Sequence, residues 1–111
     1  MYFILRDFDK VIFEKEVQAV YFQSLIEGRI GILNHHENFQ IQMIAGVIDV
    51  LFTEKKQFYS GAGIAQVQNN VLKIIAFPIS ESIEDICNKL NKIGDYGRNC
   101  LSFYKKDLCK E

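Results

Sequence analysis

The residues best suited to chemistry in this chain are two adjacent histidines, His35 and His36, followed by Glu37. Imidazole nitrogens and carboxylates are common ligands of transition metals. Neighbouring residues of a strand or turn point in opposite directions, so His35 and His36 cannot readily bind one ion. The chain has two histidines in total, and its three cysteines all fall in its last quarter. The sequence therefore predicts no metal site and no cofactor.

Two other chemical arrangements also lack support. A nucleophilic Cys/His pair needs a third group that orients the base, and nothing in the sequence indicates one. The segment Gly61-Ala62-Gly63 could suggest a phosphate-binding loop, but no lysine follows in P-loop spacing and no strand-to-helix transition occurs there. We expect Gly61 and Gly63 to allow close backbone packing in a sheet, and we expect no catalytic or nucleotide-binding residues.

The histidine pair belongs to a glycine-rich segment, residues 27–39, with the sequence EGRIGILNHHENF. Glycine within a strand usually marks a bulge, a bend or a close backbone approach. We expect Gly28 and Gly31 to form a corner at which the chain changes its partner strand, and His36 to face a protein partner. Ile30, Ile41 and Met43 fit an ordinary core, or a subunit interface if they are exposed together.

Short apolar runs separated by turn residues fill the chain from Met1 to Phe77. Turn signals about every 8–12 residues are typical of antiparallel sandwiches and barrels. Asn69 and Asn70 predict a hairpin turn, because asparagine tolerates the left-handed conformation, and Gly46 follows another short strand. The sequence predicts a mainly β fold with C-terminal α structure. The β part is an antiparallel sandwich or flattened barrel of about 8–10 strands.

The spacing of apolar residues changes after Pro78, from the pattern of strands to that of helices. Ser80 could cap a first helix and Gly94 could end it. A second, weaker helix is predicted from Asp95 to Leu108. We therefore divide the chain into a sandwich domain, residues 1–79, and a short helical region, residues 80–111. The first helix has one apolar stripe, formed by Ile83, Ile86, Cys87, Leu90 and Ile93.

Composition and charge exclude several classes of function. The 111-residue chain has a net charge of -1 and no basic block, so nucleic-acid binding has no electrostatic support. No run of about eighteen apolar residues could span a membrane. Arg6 and Asp7 interrupt the first apolar run, which is unlike a signal peptide. We expect a cytoplasmic protein whose cysteines are structural.

The segment from Glu27 to His36 resembles the E-G-x-(apolar)-G-I-L-P-x-H signature of the epsilon subunit of F-type ATP synthases. The proline-glycine pair of that family falls on Ala45-Gly46. The first ten positions of its G-G-F-(L/I)-E-V-x-x-N-x-V motif fall on residues 62–71. The resemblance covers about residues 1–79 and implies a ten-stranded sandwich followed by two helices.

The resemblance implies a mechanical role. Epsilon subunits are non-catalytic parts of the central-stalk rotor of a proton- or sodium-translocating F-type ATP synthase. They bind the gamma subunit and the c-ring, and they couple ring rotation to ATP synthesis or hydrolysis. The implied location is peripheral, on the cytoplasmic face of the inner or plasma membrane. In the family the C-terminal helices fold against the sandwich, or extend toward the alpha/beta catalytic head and inhibit ATP hydrolysis.

The chain departs from the family at several positions. Asn34 and His35 replace the usual proline and glycine, Arg29 stands where an acidic residue is common, and Gln66 replaces a glutamate. Residues 81–90 contain no arginine, so the nucleotide-binding motif of some members is not predicted. The short helical region leaves inhibition by helix extension open. The predicted interface with gamma and the c-ring comprises Arg29, Ile30, His35, His36, Ile41, Met43 and Gln66.

Two alternatives remain at the level of sequence. A small-ligand-binding β-barrel would have a hollow interior lined by a few polar groups. A metal-dependent enzyme of the cupin type would use His35 or His36 as a ligand. Metal analysis of protein purified without an affinity tag separates the second alternative from a stalk subunit.

Overall fold

The computed structural model describes residues 1–104, which form ten strands followed by two helices. This agrees with the predicted fold class. The strands are β1 (Tyr2–Arg6), β2 (Val11–Glu16), β3 (Ala19–Ser24), β4 (Gly28–Leu33), β5 (Phe39–Met43), β6 (Gly46–Leu51), β7 (Lys55–Ser60), β8 (Gly63–Gln68), β9 (Val71–Ala76) and β10 (Ile79–Ser80); the helices are α1 (Ile83–Asn91) and α2 (Gly94–Leu101).

The strands form one hydrogen-bonded path in the order β10-β7-β6-β3-β5-β8-β9-β1-β2, and β4 pairs with β3 beside this path. β3 pairs with β6 through residues 19–21 and with β5 at Ser24, so β3 passes from one layer of the sandwich to the other. The first layer contains β4, β3, β6, β7 and β10. The second layer contains β5, β8, β9, β1 and β2.

One strand pair differs from the antiparallel pattern that the sequence predicts. β1 and β9 run parallel, with Tyr2 opposite Val71 and Arg6 opposite Ile75. The parallel pairing joins the first strand of the chain to one of the last. An apolar alternation with period two appears in parallel and antiparallel strands alike, so it could not reveal this direction.

Inward-facing side chains of both layers fill the space between the sheets. Phe3 from β1, Phe22 from β3 and Phe58 from β7 are among the largest fully buried residues. The ring of Phe13 packs at 5.3 Å from that of Phe58, which joins β2 to the opposite layer. Each such side chain contributes roughly 1.5–3 kcal/mol by burial. The interior is therefore a filled core.

The glycine-rich segment contains the change of strand partner that the sequence suggests. β4 pairs with β3, whereas β5 pairs along its length with β8, so the chain leaves its first partner between Leu33 and Phe39. Gly28 has a φ of 74° in the β3–β4 hairpin, and His35 has a φ of 63° after β4. Gly31 lies within β4, outside any turn. A Cβ atom there would lie 2.5 Å from the ring of Tyr21, so Gly31 makes room for that ring.

The other turn residues have separate roles. Asn69 and Asn70 form the turn between β8 and β9, with φ of 53° and 61°. Gly61 and Gly63 have no positive φ. A Cβ atom at Gly61 would lie 2.1 Å from the carbonyl oxygen of Phe77, and one at Gly63 would lie 2.2 Å from that of Ile75. Both glycines therefore permit close approach of neighbouring backbones.

The two helices begin and end differently from the sequence prediction. Ser82 caps α1, and its Oγ accepts a hydrogen bond from Asp85 N at 3.3 Å. Ser80, the predicted cap, belongs to β10, and its Oγ donates to Asp85 Oδ2 at 2.7 Å. α2 ends at Leu101. The predicted continuation to Leu108, and Cys109, lie outside the described residues.

The helices pack on the sandwich through a second apolar cluster and two tyrosine hydroxyls. Tyr104 Oη donates to the carbonyl oxygen of Ser60 at 2.7 Å. Tyr96 Oη donates to that of Phe77 at 2.6 Å and accepts from Ala62 N at 3.0 Å. Burial raises the pKa of Tyr96 to about 12. Residues buried in this cluster are Ala45, Ile86, Cys87, Leu90, Cys100 and Tyr104.

Neither helix in residues 1–104 has the length and apolar character needed to cross a membrane.

The packing at Gly63 makes a testable prediction. We expect Gly63→Ala to destabilise the fold by about 1–3 kcal/mol, because the added methyl group meets backbone atoms that cannot move aside. Gly46→Ala is the matched control. Its Cβ atom would meet only the flexible side chain of Gln23, at 3.0 Å. Urea unfolding followed by circular dichroism measures both variants, and equal stability of the two would contradict the predicted strand packing.

Candidate protein interface

The two histidines have separate environments. His35 N donates to Asn70 Oδ1 at 2.8 Å. His36 Nδ1 lies 2.9 Å from the carbonyl oxygen of Glu37, and its ring packs at 4.9 Å from that of Phe39. Within residues 1–104, no group of three or more His, Cys, Asp or Glu side chains is placed to hold a metal ion. Both histidines lie in the exposed turn after β4.

The depressions on the surface are open. One of about 500 Å³ lies between β5, β8 and α2 and is lined in part by Gln40, Ile64 and Tyr96. Among residues 1–104, no carboxylate or imidazole lines this depression. Because the space between the layers is filled by core side chains, the geometry favours contact through surfaces over capture of a small ligand.

Arg29 is paired within the chain. Its guanidinium binds the carboxylate of Asp49, and its Nη1 donates to the carbonyl oxygen of Val47 at 3.1 Å. Gln57 Nε2 donates to the second oxygen of Asp49 at 2.7 Å. These contacts cross β3 and link β4 to β6 and β7. The positive charge that distinguishes this position from the family pattern is therefore largely satisfied internally.

The outer face of the second layer carries an apolar patch, which we call the second-layer patch and define by the exposed Phe8, Ile64 and Phe77 and the half-buried Ile75. Ile64 lies opposite Ile75 in the pairing of β8 with β9. The ring of Phe8 lies 5.9 Å from that of Phe77 and is 75% exposed. Exposed apolar patches of this kind, rimmed by polar residues, mark interaction sites.

The tip of the β3–β4 hairpin presents two further apolar side chains. Ile26 is 85% exposed and Leu25 is 52% exposed. Ser24 holds this tip in shape, since its Oγ accepts from Glu27 N at 2.9 Å and donates to the carbonyl oxygen of Gly28 at 2.8 Å. Three inter-strand spacings of about 4.8 Å each separate Ser24 from Ala76, through β5 and β8. The tip therefore lies at the same end of the sandwich as Phe77.

The structure separates the predicted interface residues into three groups. Arg29, His35, His36 and Gln66 are exposed, and Ile30 and Ile41 are half-buried side chains that pack against the core. Met43 is 1% exposed and belongs to the core, so it cannot serve as a surface contact in this structure. Its side chain points inward because residues 39–43 alternate, with Gln40 and Gln42 facing out.

The interface predicted from the sequence does not include several exposed apolar residues. Phe8 stands between Asp7 and Asp9 in the β1–β2 turn, and Leu25 and Ile26 stand between Ser24 and Gly28. Large apolar residues in a turn have no place in a two-layer core. The presence of large apolar residues in these turns is the sequence feature that could have indicated a binding surface.

Comparisons with known proteins point to one family. The family model described as "ATP synthase, Delta/Epsilon chain, beta-sandwich domain" matches residues 2–81. No curated protein sequence matches the chain.

Two solved structures are similar in fold. The first is from Euglena gracilis mitochondrial ATP synthase, a structure of OSCP/F1/c-ring in rotational state 1. It has a TM-score of 0.69 and 24% identity, and the match covers 89% of this chain and 73% of that chain. The second is from the central stalk/c-ring of Tetrahymena thermophila mitochondrial ATP synthase. It has a TM-score of 0.64 and 14% identity, with coverage of 85% and 72%. At these identities the likeness establishes the fold.

The internal pairing of Arg29 can be measured by a double-mutant cycle with Arg29→Ala and Asp49→Ala. We expect a coupling free energy of about 0.2–1 kcal/mol, because both side chains are partly exposed to solvent. Asp95 and Arg98 on α2 form a more exposed control pair, for which we expect a smaller coupling. Urea unfolding of the single and double variants gives both values. Zero coupling at Arg29 would show that its charge is available to a partner.

Proposed function

The chain belongs to the ATP synthase delta/epsilon family, and from this we propose that it is a non-catalytic subunit of the central stalk of a proton- or sodium-translocating F-type ATP synthase. The observation that carries the proposal is the family match over residues 2–81, which spans all ten strands. In this role the chain binds the gamma subunit and the c-ring and helps to couple ring rotation to ATP synthesis or hydrolysis.

We place the gamma subunit on the outer face of the second layer. The second-layer patch lies at one end of this face, Gln66 lies on β8, and the His35 turn bonds to Asn70 at the other end. The six residues of β8 span about 20 Å, so one large partner can contact the whole face. Apolar contact at one end and hydrogen bonding at the other would then fix the orientation of gamma.

We place the c-ring at the tip of the β3–β4 hairpin. Arg29 belongs to the interface with gamma and the c-ring that the sequence predicts, and the tip residues Leu25 and Ile26 precede it. Since Arg29 is engaged with Asp49, the tip offers the ring apolar side chains and the carboxylate of Glu27. A ring that fits this chain should therefore present apolar groups to the tip, together with a hydrogen-bond donor or positive charge for the carboxylate of Glu27.

The helical region is docked on the sandwich in the structure. Release of α1 and α2 toward the alpha/beta head would break the hydrogen bonds of Tyr96 and Tyr104 to the sandwich backbone and expose their apolar cluster. We propose that the docked arrangement is the resting one, and that any inhibition of ATP hydrolysis requires this release. The chain would lie at the membrane periphery within the complex, on its cytoplasmic face.

The placement of gamma predicts a selective loss of binding. We expect Ile64→Glu to weaken the affinity for purified gamma at least about tenfold, since burial of a carboxylate without a partner costs more than the 1.4 kcal/mol that a tenfold change requires. Leu51→Glu is the matched control, because Leu51 is similarly exposed but lies on the first layer.

Isothermal titration calorimetry measures both affinities, and circular dichroism verifies that each variant folds. Equal losses for Ile64→Glu and Leu51→Glu would contradict the placement on the second layer. Absence of binding by the unmodified chain would contradict the stalk function itself.

A further inference from the structure

One strand of the sandwich has a free edge of unusual character. Among residues 1–104, β4 pairs with β3 alone. Its other side therefore carries a row of backbone N–H and C=O groups along six residues, about 20 Å of strand. Such a row can pair with a further strand.

The remaining edges of the sandwich have features that discourage such pairing. β2 ends in three consecutive charged residues, Glu14, Lys15 and Glu16. β10 has two residues and packs against α1. β5 is tied to β3 where Met43 lies opposite Ser24. Short strands and charges are the usual means by which proteins protect an edge.

β4 lacks these protections. Its sequence, GRIGIL, has no proline and a single charged residue, Arg29. The Arg29 guanidinium turns across β3 to Asp49 and Val47, which takes its charge away from the free edge. Ile30 is half-buried at this edge, and Leu33 is 55% exposed at its end. An edge with these properties would promote aggregation if nothing covered it.

Both ends of β4 are held in place. At its start, Ser24 fixes the hairpin tip through bonds to Glu27 and Gly28. At its end, Asn34 Oδ1 accepts from Asn70 Nδ2 at 2.9 Å, which ties the following turn to the second layer. The edge is therefore preformed, and the binding of a partner strand would require little free energy for the ordering of β4.

We propose that the free edge of β4 binds an extended apolar segment of the gamma subunit as an additional strand. The identification of gamma as the partner rests on the proposed function. The expectation of an extended backbone rests on the unpaired N–H and C=O groups along the edge of β4. A row of backbone groups is satisfied by another extended backbone, with side-chain specificity at alternate positions. Every second residue of the added segment would face inward beside Ile30 and Ile32, so those residues should be apolar.

Gamma is the occupant that the surrounding surface favours. The hairpin tip at one end of β4 and the His35 turn at the other end both lie in the surfaces that we assign to stalk partners. A segment along β4 would make these contacts continuous. A second copy of this chain is the competing occupant.

Hydrogen–deuterium exchange of the chain, free and bound to purified gamma, tests the proposal directly. We expect amides of Gly28–Leu33 that exchange rapidly in the free chain to slow at least about tenfold in the complex, because they acquire hydrogen-bond acceptors. Amides of the other long edge, Val11–Glu16, serve as the internal control and should not change.

The possible outcomes test the added strand at β4 and the stalk function separately. Binding of gamma without protection of β4 would overturn the added strand and leave the stalk function standing. A free chain that is already dimeric, with β4 protected, would overturn gamma as the occupant. No binding of gamma at all would overturn the stalk function and, with it, the partner named here.

A pair of variants gives a second test. Ile30→Lys places an inward charge at the β4 edge, and Ile12→Lys does the same at the β2 edge; both isoleucines are half-buried against the core. We expect Ile30→Lys to weaken gamma binding at least about tenfold and Ile12→Lys to leave it unchanged, with both variants folded by circular dichroism. Equal effects of the two variants on affinity would contradict pairing at β4.

Discussion

The pairing of β3 with three other strands is the constraint on which the rest of this structure depends. One side of β3 pairs with β4 throughout, and the other side pairs first with β6 and then with β5. This change of partner joins the two layers at a single strand and closes most of the sheet around its core. It also leaves β4 at the outside and places the tip of the β3–β4 hairpin beside the ends of β5, β8 and β9. The surfaces that we assign to partners follow from these placements.

Surface contacts, rather than a pocket, are what this architecture can offer. The core between the layers is filled, and the exposed apolar side chains include groups on one outer face, at one hairpin tip and along one strand edge. Arg29 stands where the family commonly has an acidic residue, and the structure accommodates its positive charge within the chain. Its charge is neutralised by Asp49, so the substitution changes the chemistry of the tip without leaving an unpaired cation. A partner that evolved with this chain would lack the complementary charge.

Much of the fold could be predicted from local chemistry. The period-two apolar pattern, Asn69-Asn70 as a turn and the change to a helical period after Pro78 all depend on residues close in sequence. The parallel pairing of β1 with β9 could not be predicted, because it depends on contact between residues far apart. The predicted place of Met43 in the interface disagrees with its burial, although the alternation of Phe39, Ile41 and Met43 with two glutamines indicates an inward side chain. The sequence predicts a bend at Gly31, whereas this glycine makes room for the ring of Tyr21 on the neighbouring strand, a contact that the sequence does not reveal.

The stalk function is tested most directly by recovering the chain from detergent-solubilised membranes of its source cells and identifying what accompanies it by quantitative mass spectrometry. If the chain is a central-stalk subunit, the gamma subunit should co-purify with it in equal amount, together with the c-ring and the catalytic subunits. Recovery of the chain without gamma, under conditions in which the ATP synthase remains intact, would contradict the assignment.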